Sequence, residues 1–248
     1  MIVKRVTAAL RRQDWTAVAI EFLLVVLGVL LAFQINEWAT EREAAHERDA
    51  ATERLLAEAE ETVAYMRLGV SGHQKIVNEL HFALGAIERG DWRIADKART
   101  TMAFYRAGDV APLAPPSAVY DDLVSSGALG KIGNAHLRST IAKYRATLSF
   151  SSQHTDYVLA ELPDLEDAPA FRYSFDPDEP RRLQLDVDYD ALRNDELLRE
   201  KLAMLVRLQR QVLTMRKRLL KDATRMCVEL GRFVGKPCNL HLPPPKFD

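Results

Sequence analysis

The sequence lacks the residue patterns that mark metal sites and nucleic-acid interfaces. Its 248 residues include two cysteines and six histidines, and no two histidines stand four positions apart. Because a zinc site needs several ligands at characteristic spacings, we expect no metal and no cofactor. The net charge of −1 creates no field that would attract a polyanion, which argues against a nucleic-acid partner.

Catalytic motifs are also missing from the sequence. It contains no Gly-x-Ser-x-Gly nucleophile elbow. The stretch SSGALGKIG, residues 125–133, has the Gly-Lys pair of a phosphate-binding loop but not the first glycine of that motif. Ile132 also stands where the motif needs Ser or Thr, so the stretch indicates a tight turn between helices. We therefore expect a protein that is not an enzyme.

What the sequence does have is one long apolar run, at residues 15–38. The stretch from Phe22 to Phe33 is unbroken apolar, and a helix that crosses about 30 Å of hydrocarbon needs about 20 mainly apolar residues. Trp15 and Trp38 bracket the run about 34 Å apart along a helix axis, and indole rings favour the two headgroup levels of a bilayer. The run predicts a single transmembrane helix, and the lipid bilayer is therefore an expected partner of the protein.

The two flanks of the run predict its orientation. Residues 1–14 hold four basic residues and one acid, whereas residues 39–49 hold four acids and two basic residues. The positive-inside rule places the N-terminus in the cytoplasm and residues 39–248 outside, which in a bacterium means the inner membrane and the periplasm. A cleaved signal peptide is the alternative, but no small-x-small cleavage site follows Leu31 before the charged stretch.

One face of the predicted span combines small residues with a carboxyl group. Ala17, Glu21, Gly28 and Ala32 fall on this face at helical spacing. Small residues let two helix backbones approach, and a carboxyl group there can hydrogen-bond to a partner helix. The face predicts contact with a membrane-protein partner or with a second copy of the chain in a homo-oligomer. The alternatives are a carboxylate that lies at the cytoplasmic interface and a proton or ion pathway.

The rest of the chain predicts an all-α fold, in which the transmembrane helix continues into a helical stalk and an antiparallel helical bundle. Leu55 begins an apolar repeat at helical spacing after a charged stretch. Gly69 and Gly72 predict the end of this helix and the start of a second one near residue 72. The predicted partition is a basic cytoplasmic segment at 1–14, the span at 15–38, the stalk at 39–54, a periplasmic helical domain at 55–234 and an extended Pro-rich tail at 235–248.

Caps and turns predict the later elements of the domain. Ser117 and Asn134 each stand at the expected N-cap of a helix. Alternating apolar residues on both sides of a Pro-rich turn predict a small β-hairpin at 171–187. One long helix is predicted from about residue 190 to residue 233, because apolar residues recur there every three or four positions.

The two cysteines, Cys227 and Cys238, stand eleven residues apart near the end of the chain. In an oxidising compartment such as the periplasm we expect a disulfide that ties the tail to the last helix. The alternative is two unrelated thiols.

A stripe of basic residues lies along one side of the predicted last helix. Its members are Arg207, Arg210, Arg218, Lys221 and Arg225. A solvated face, or a face paired with acids of the first helix, is one interpretation. Contact with anionic lipid head groups or with an acidic partner is the other, and the sequence leaves both open.

Two stretches carry a resemblance to a known family. IEFLLVVLGVLLAFQINEW, residues 20–38, resembles the span "IEFxxVVLGVxxxxQxNxW" of a family of uncharacterised bacterial single-pass membrane proteins. Residues 120–144 are similar to the "L-x-x-S-G-x-L-x-x-I-x-N" pattern of the same family, with matches at Leu123, Ser126, Gly127, Leu129, Ile132 and Asn134. The resemblance implies the architecture of a membrane anchor and an outer domain, and it implies no mechanism.

These features together predict a non-enzymatic interaction or assembly protein that works through its span and its helical domain. The alternative is an extracytoplasmic ligand sensor. Because 14 residues on the cytoplasmic side cannot form an output domain, such a sensor would act through a separate membrane partner.

The predicted topology has a direct test. We expect alkaline phosphatase fused after residue 248 to be active in bacterial cells, because that enzyme needs an oxidising compartment to form its disulfides. A fusion placed at residue 14 should be inactive. The reverse pattern would show that residues 39–248 face the cytoplasm.

Overall fold

The computed structural model describes residues 15–90, 93–165, 168–175 and 183–243. The chain divides into two compact units, residues 1–50 and residues 51–248. Six α-helices, a short 3₁₀-helix (Ala128–Lys131) and one two-stranded sheet occupy the described residues, and the predicted all-α class is confirmed. The helices are α1 (Trp15–Arg89), α2 (Ile94–Tyr105), α3 (Ala118–Ser125), α4 (Ala135–Ala160), α5 (Tyr189–Asn194) and α6 (Glu196–Val234), and the strands are β1 (Phe171–Phe175) and β2 (Leu183–Val187).

The first unit contains the apolar part of α1. From Ile20, which is 63% exposed, to Trp38, which is 61% exposed, the large apolar side chains face away from protein. This helix is long and apolar enough to cross a membrane. A helix with apolar side chains on every side suits lipid better than water, which is the physical basis for treating it as a span.

The second unit is organised around α6. The contacts of His73 with Gln209 and of Gly69 with Arg216 show that α1 and α6 run antiparallel. On another side, Thr147 bonds to Asp222 and His136 approaches Glu229, so α4 is antiparallel to α6 as well. The buried face of α6 is a seam of apolar residues, and α1 and α4 pack against it.

The predicted break in the first helix is wrong. Gly69 and Gly72 lie inside α1, which continues to Arg89. A glycine inside a helix costs about 1 kcal/mol relative to alanine. Burial of neighbours such as Met66 and Ile76 against the rest of the domain outweighs that cost, since each buried large side chain contributes about 1.5–3 kcal/mol.

The predicted last helix is in fact two helices. Asp195 has an extended backbone with ψ of 100°, and its side chain accepts a hydrogen bond from the Leu198 amide at 2.9 Å. Asp188 caps α5 in the same way through the Ala191 amide at 3.0 Å. Aspartate side chains compete with the helical backbone for hydrogen bonds, so they begin helices more readily than they continue them.

The predicted caps of α3 and α4 have different outcomes. Asn134 caps α4 by accepting from the Leu137 amide at 2.9 Å, as expected. Ser117 stands at the N-cap position of α3, but its hydroxyl donates to the Asp121 carboxylate and caps no amide. The carboxylate of Glu58 on α1 takes that role, accepting from the amides of Val119 at 2.6 Å and of the following residue at 3.1 Å.

The predicted hairpin is present as the antiparallel pair of β1 and β2, in register from Phe171 opposite Val187 to Phe175 opposite Leu183. Phe171, Leu185 and Val187 are buried, and they join the cluster beneath α6. The predicted turn at 176–180 lies outside the described residues. The predicted tail is described as far as residue 243, and this part has no helix or strand after Gly235. The end of the tail lies outside the described residues.

The bond from Glu58 to α3 yields a testable prediction. Replacing Glu58 with Ala should destabilise the domain by about 1–2 kcal/mol, because two amides at the start of α3 lose their acceptor. The measurement is denaturant-induced unfolding of the full chain in a mild detergent, followed by circular dichroism. Glu61→Ala is the matched control, since Glu61 is exposed on the same helix, and it should shift stability by less than about 0.5 kcal/mol. Equal effects of the two variants would contradict the capping role.

Candidate functional site

A cavity of about 580 Å³ lies in the second unit, between α1 and the segment that follows α2. Its volume falls within the range of about 300–1,000 Å³ that small-molecule sites occupy. The lining residues are Tyr65, Met66, Leu68, Gly69, Gly72, His73, Ile76, Arg106, Asp109, Val110, Ala111, Pro112, Leu113 and Arg216.

The local sequence explains how the two walls form. Residues 65–76 supply one wall from successive turns of α1. Residues 106–113 supply the other, and their backbone belongs to no helix or strand. The hydroxyl of Tyr65 holds this second wall to α1, donating to the Pro112 carbonyl and accepting from the Ala114 amide, both at 3.3 Å.

Arg216 of α6 is the charged residue at the base of the cavity. Its side chain is 4% exposed. The guanidinium donates to the Gly69 carbonyl of α1 at 3.5 Å and to the Ala111 carbonyl of the second wall, while its Nε has no partner among the described residues. Burial lowers the pKa of the guanidinium from its ordinary value. A buried charge that meets only carbonyl groups retains much of its desolvation cost.

His73 lies on the α1 wall, one helical turn beyond Gly69, and is 2% exposed. Its Nε2 is 3.0 Å from the backbone carbonyl of Gln209. A carbonyl can only accept, so this nitrogen carries the ring proton. Burial, and then the charge of Arg216, lower the pKa of His73 to about 4 against the opposing effect of that hydrogen bond. His73 is therefore neutral at pH 7.

Gln209 completes the polar group on α6. Its side chain is 0% exposed and donates to the Ala107 carbonyl at 2.6 Å, while its Oε1 has no partner in the described part of the chain. Gln209 and Arg216 were not among the candidate site residues expected from the sequence. The available signal was their polarity, because a glutamine and an arginine seven positions apart interrupt an otherwise apolar seam.

The mouth of the cavity carries one ion pair. Arg106 Nε lies 3.1 Å from a carboxylate oxygen of Asp109, and both side chains are about half exposed. An exposed pair of this kind contributes little stability. It does neutralise two of the charged groups that line the cavity.

The predicted contact face of the span lies in the first unit and has no role in this cavity. Glu21, Gly28 and Ala32 are exposed, and a side chain added at Gly28 would meet open space. The side chain of Ala17 lies outside the described residues. Contact of this face with another helix stays a prediction.

Cys227 and Cys238 form a disulfide, with their Cα atoms 5.7 Å apart. Gly231 allows the tail to pass close to α6, because a Cβ there would lie 2.5 Å from the Lys236 carbonyl oxygen. A carboxylate oxygen of Glu60 lies within 4.8 Å of both sulfur atoms. Bonded sulfurs are not thiolates, so this group offers no set of metal ligands.

The basic stripe of α6 is exposed along its whole length and lies opposite the buried seam. None of its five residues forms an ion pair with a described acid. Three acids of α1 have other partners: Glu53 bonds to Lys236 at 2.9 Å, Glu58 to α3, and Glu60 to the Asn239 amide at 2.7 Å. Whether the stripe is simply solvated or contacts anionic lipid or an acidic partner stays a prediction.

Comparison with known proteins found no matching family model, no matching curated protein and no matching solved structure. The resemblance of residues 20–38 and 120–144 to a family of bacterial membrane proteins therefore stays a prediction.

The burial of His73 predicts a pH dependence of stability. Its native pKa is about 4 and its unfolded value is 6.5, so the unfolded state binds more protons between these limits. Its contribution is fully present above pH 6.5 and is lost as the pH falls to about 4. Over that pH window the free energy of unfolding of the wild type should fall by on the order of 3 kcal/mol more than that of His73→Gln, as measured by denaturant unfolding.

His81→Gln is the matched control for this titration, since His81 is exposed on the same helix. Its pH profile should follow that of the wild type. Parallel profiles for all three proteins would show that His73 is not buried in the neutral form.

Proposed function

We propose that residues 51–248 form the ligand-binding domain of a membrane-anchored extracytoplasmic sensor. The cavity beside Arg216 is the observation that supports this function over the assembly role. It offers mainly apolar walls with a few polar groups at defined positions, which is the usual composition of a small-molecule site.

The position of the cavity supports a sensing role over simple storage of a ligand. One wall belongs to α1, the helix that also carries the apolar run of the proposed span. The other wall is a loop that Tyr65 and Arg216 hold by hydrogen bonds. A ligand between the two walls would contact both, and it would favour the loop position that fits it best.

The signal would pass to a separate membrane partner. The small-residue face of the span, with Gly28, Ala32 and Glu21, is the surface that suits such a partner. A pure assembly protein would use the same face, and the exposure of that face favours it as the second candidate. The two functions differ in one respect, which is whether the association with the partner changes when the cavity is filled.

We also propose a compartment, namely the bacterial inner membrane with the domain in the periplasm. The disulfide between Cys227 and Cys238 supports it, because disulfides persist in oxidising compartments and are rare in the cytosol. The charge difference between the two flanks of the span supports the same orientation.

A cavity-filling substitution tests the proposed function. Gly72 lines the cavity inside α1, and a Cβ there meets nothing within 4 Å. Gly72→Leu should place an apolar side chain in the cavity and should raise the helix propensity of α1 by about 1 kcal/mol. Ser71→Leu is the matched control, because Ser71 is exposed on the same helix and does not line this cavity.

The binding measurement uses the full chain in lipid nanodiscs, with empty nanodiscs as the blank. The probes are straight-chain carboxylic acids of four to ten carbons, with the corresponding amides and amines, and binding is followed by saturation-transfer NMR. We expect at least one class to bind to the wild type and to Ser71→Leu, and to bind at least tenfold more weakly to Gly72→Leu. Absence of binding by every class, or equal binding by Gly72→Leu, would overturn the proposed function.

A further inference from the structure

The charges of the residues that line the cavity do not sum to zero. Arg106 and Asp109 neutralise each other at the mouth, 3.1 Å apart. His73 is neutral at pH 7, since burial lowers its pKa to about 4. Arg216 remains as the one lining charge without a counter-ion among the described residues. The cavity therefore presents one net positive charge to whatever fills it.

The hydrogen bonds of Arg216 leave room for an anion. The bond to the Gly69 carbonyl is long, at 3.5 Å, and a donor that far from its acceptor interacts weakly. Of the five N–H groups of a guanidinium, the described residues engage one on each terminal nitrogen. A carboxylate accepts charge-assisted hydrogen bonds from such a group, and these are roughly twice as strong as bonds between neutral partners.

The rest of the lining limits what kind of anion fits. Met66, Leu68, Ile76, Val110 and Leu113 make most of the remaining wall apolar. A small hydrated inorganic ion would leave these side chains facing water. An anion with an apolar body would cover them, and burial of that apolar surface would favour binding.

We infer that the cavity binds a small organic acid, with its carboxylate against the Arg216 guanidinium and its apolar body against the α1 wall and the loop at 109–113. This inference rests on the proposed ligand-binding function, and it names the chemical class of the ligand. It also explains why an arginine stands at a seam position that an apolar residue would fill at lower cost.

Arg216 also has a structural role that the test must separate from binding. Its bonds to Gly69 and Ala111 join α6, α1 and the loop, so a substitution at Arg216 affects folding as well as any ligand. The decisive comparison therefore changes the ligand and keeps the wild-type protein.

Matched pairs of an acid and its amide provide that comparison, with hexanoate against hexanamide as the central pair and the other chain lengths as a series. Binding to the full chain in nanodiscs is measured by isothermal titration calorimetry at pH 7. We expect the acid to bind at least tenfold more tightly than its amide and than the amine of equal length, since hydrogen bonds to charged groups are the stronger ones. Gly72→Leu should bind all three at least tenfold more weakly than the wild type does.

The variants then assign the preference to one side chain. Arg216→Gln should bring the affinities of acid and amide within about threefold of each other. Arg210→Gln is its matched control, because Arg210 is exposed on the same helix, and it should retain the preference for the acid. If Arg216→Gln does not fold, the comparison of acid with amide on the wild-type protein still tests whether the cavity prefers an anion.

The possible failures are distinguishable. The anion inference would be overturned if an amide or amine bound to the wild type as tightly as the acid and bound more weakly to Gly72→Leu. That result would leave the proposed function standing. An acid preference that survives in folded Arg216→Gln would also overturn it. If no compound of the series binds, the proposed function fails and the inference fails with it.

Discussion

The buried seam of α6 is the constraint on which the rest of the domain depends. Each of the three apolar clusters contains α6 residues, from Leu198 at one end to Leu230 at the other. Burial of one such side chain stabilises the fold by about 1.5–3 kcal/mol, so the seam supplies a large share of the energy that holds α1, α4 and the hairpin in place. The same continuous helix fixes the positions of Gln209 and Arg216, because they occupy seam positions.

Those two polar residues help to hold the chain between α2 and α3. The segment from Asp109 to residue 116 has no helical or strand hydrogen bonds of its own. Side chains hold this segment and the residues just before it: Gln209 bonds to Ala107, Arg216 to Ala111, and Tyr65 to Pro112. Val110 and Leu113 of this segment also pack against buried apolar clusters, and the cavity lies between the segment and residues 65–76 of α1.

The sequence predicted the features that depend on local signals and missed those that depend on distant contacts. The apolar run, the Asn134 cap and the hairpin follow from residue type and spacing within a few positions. The break expected at Gly69 and Gly72 is absent, because tertiary burial outweighed helix propensity. The break at Asp195 is present, and its signal was an aspartate placed to cap the Leu198 amide. The cavity could not be predicted, since Gly69 and Arg216 are 147 positions apart and nothing local relates them.

The long bond between Arg216 and Gly69 relates the fold to the proposed function, because its donor is also the group that would bind the anion. A ligand alters a partner only if it binds two states of the domain with different affinity. Under the proposed function, an anion would compete with the Gly69 carbonyl for the guanidinium, since that bond is long at 3.5 Å. That exchange releases a carbonyl of α1 and keeps the bond to the loop. Under the proposed function, α1 is therefore the element that would lose a contact when the anion binds, because the apolar seam of α6 takes no part in the exchange.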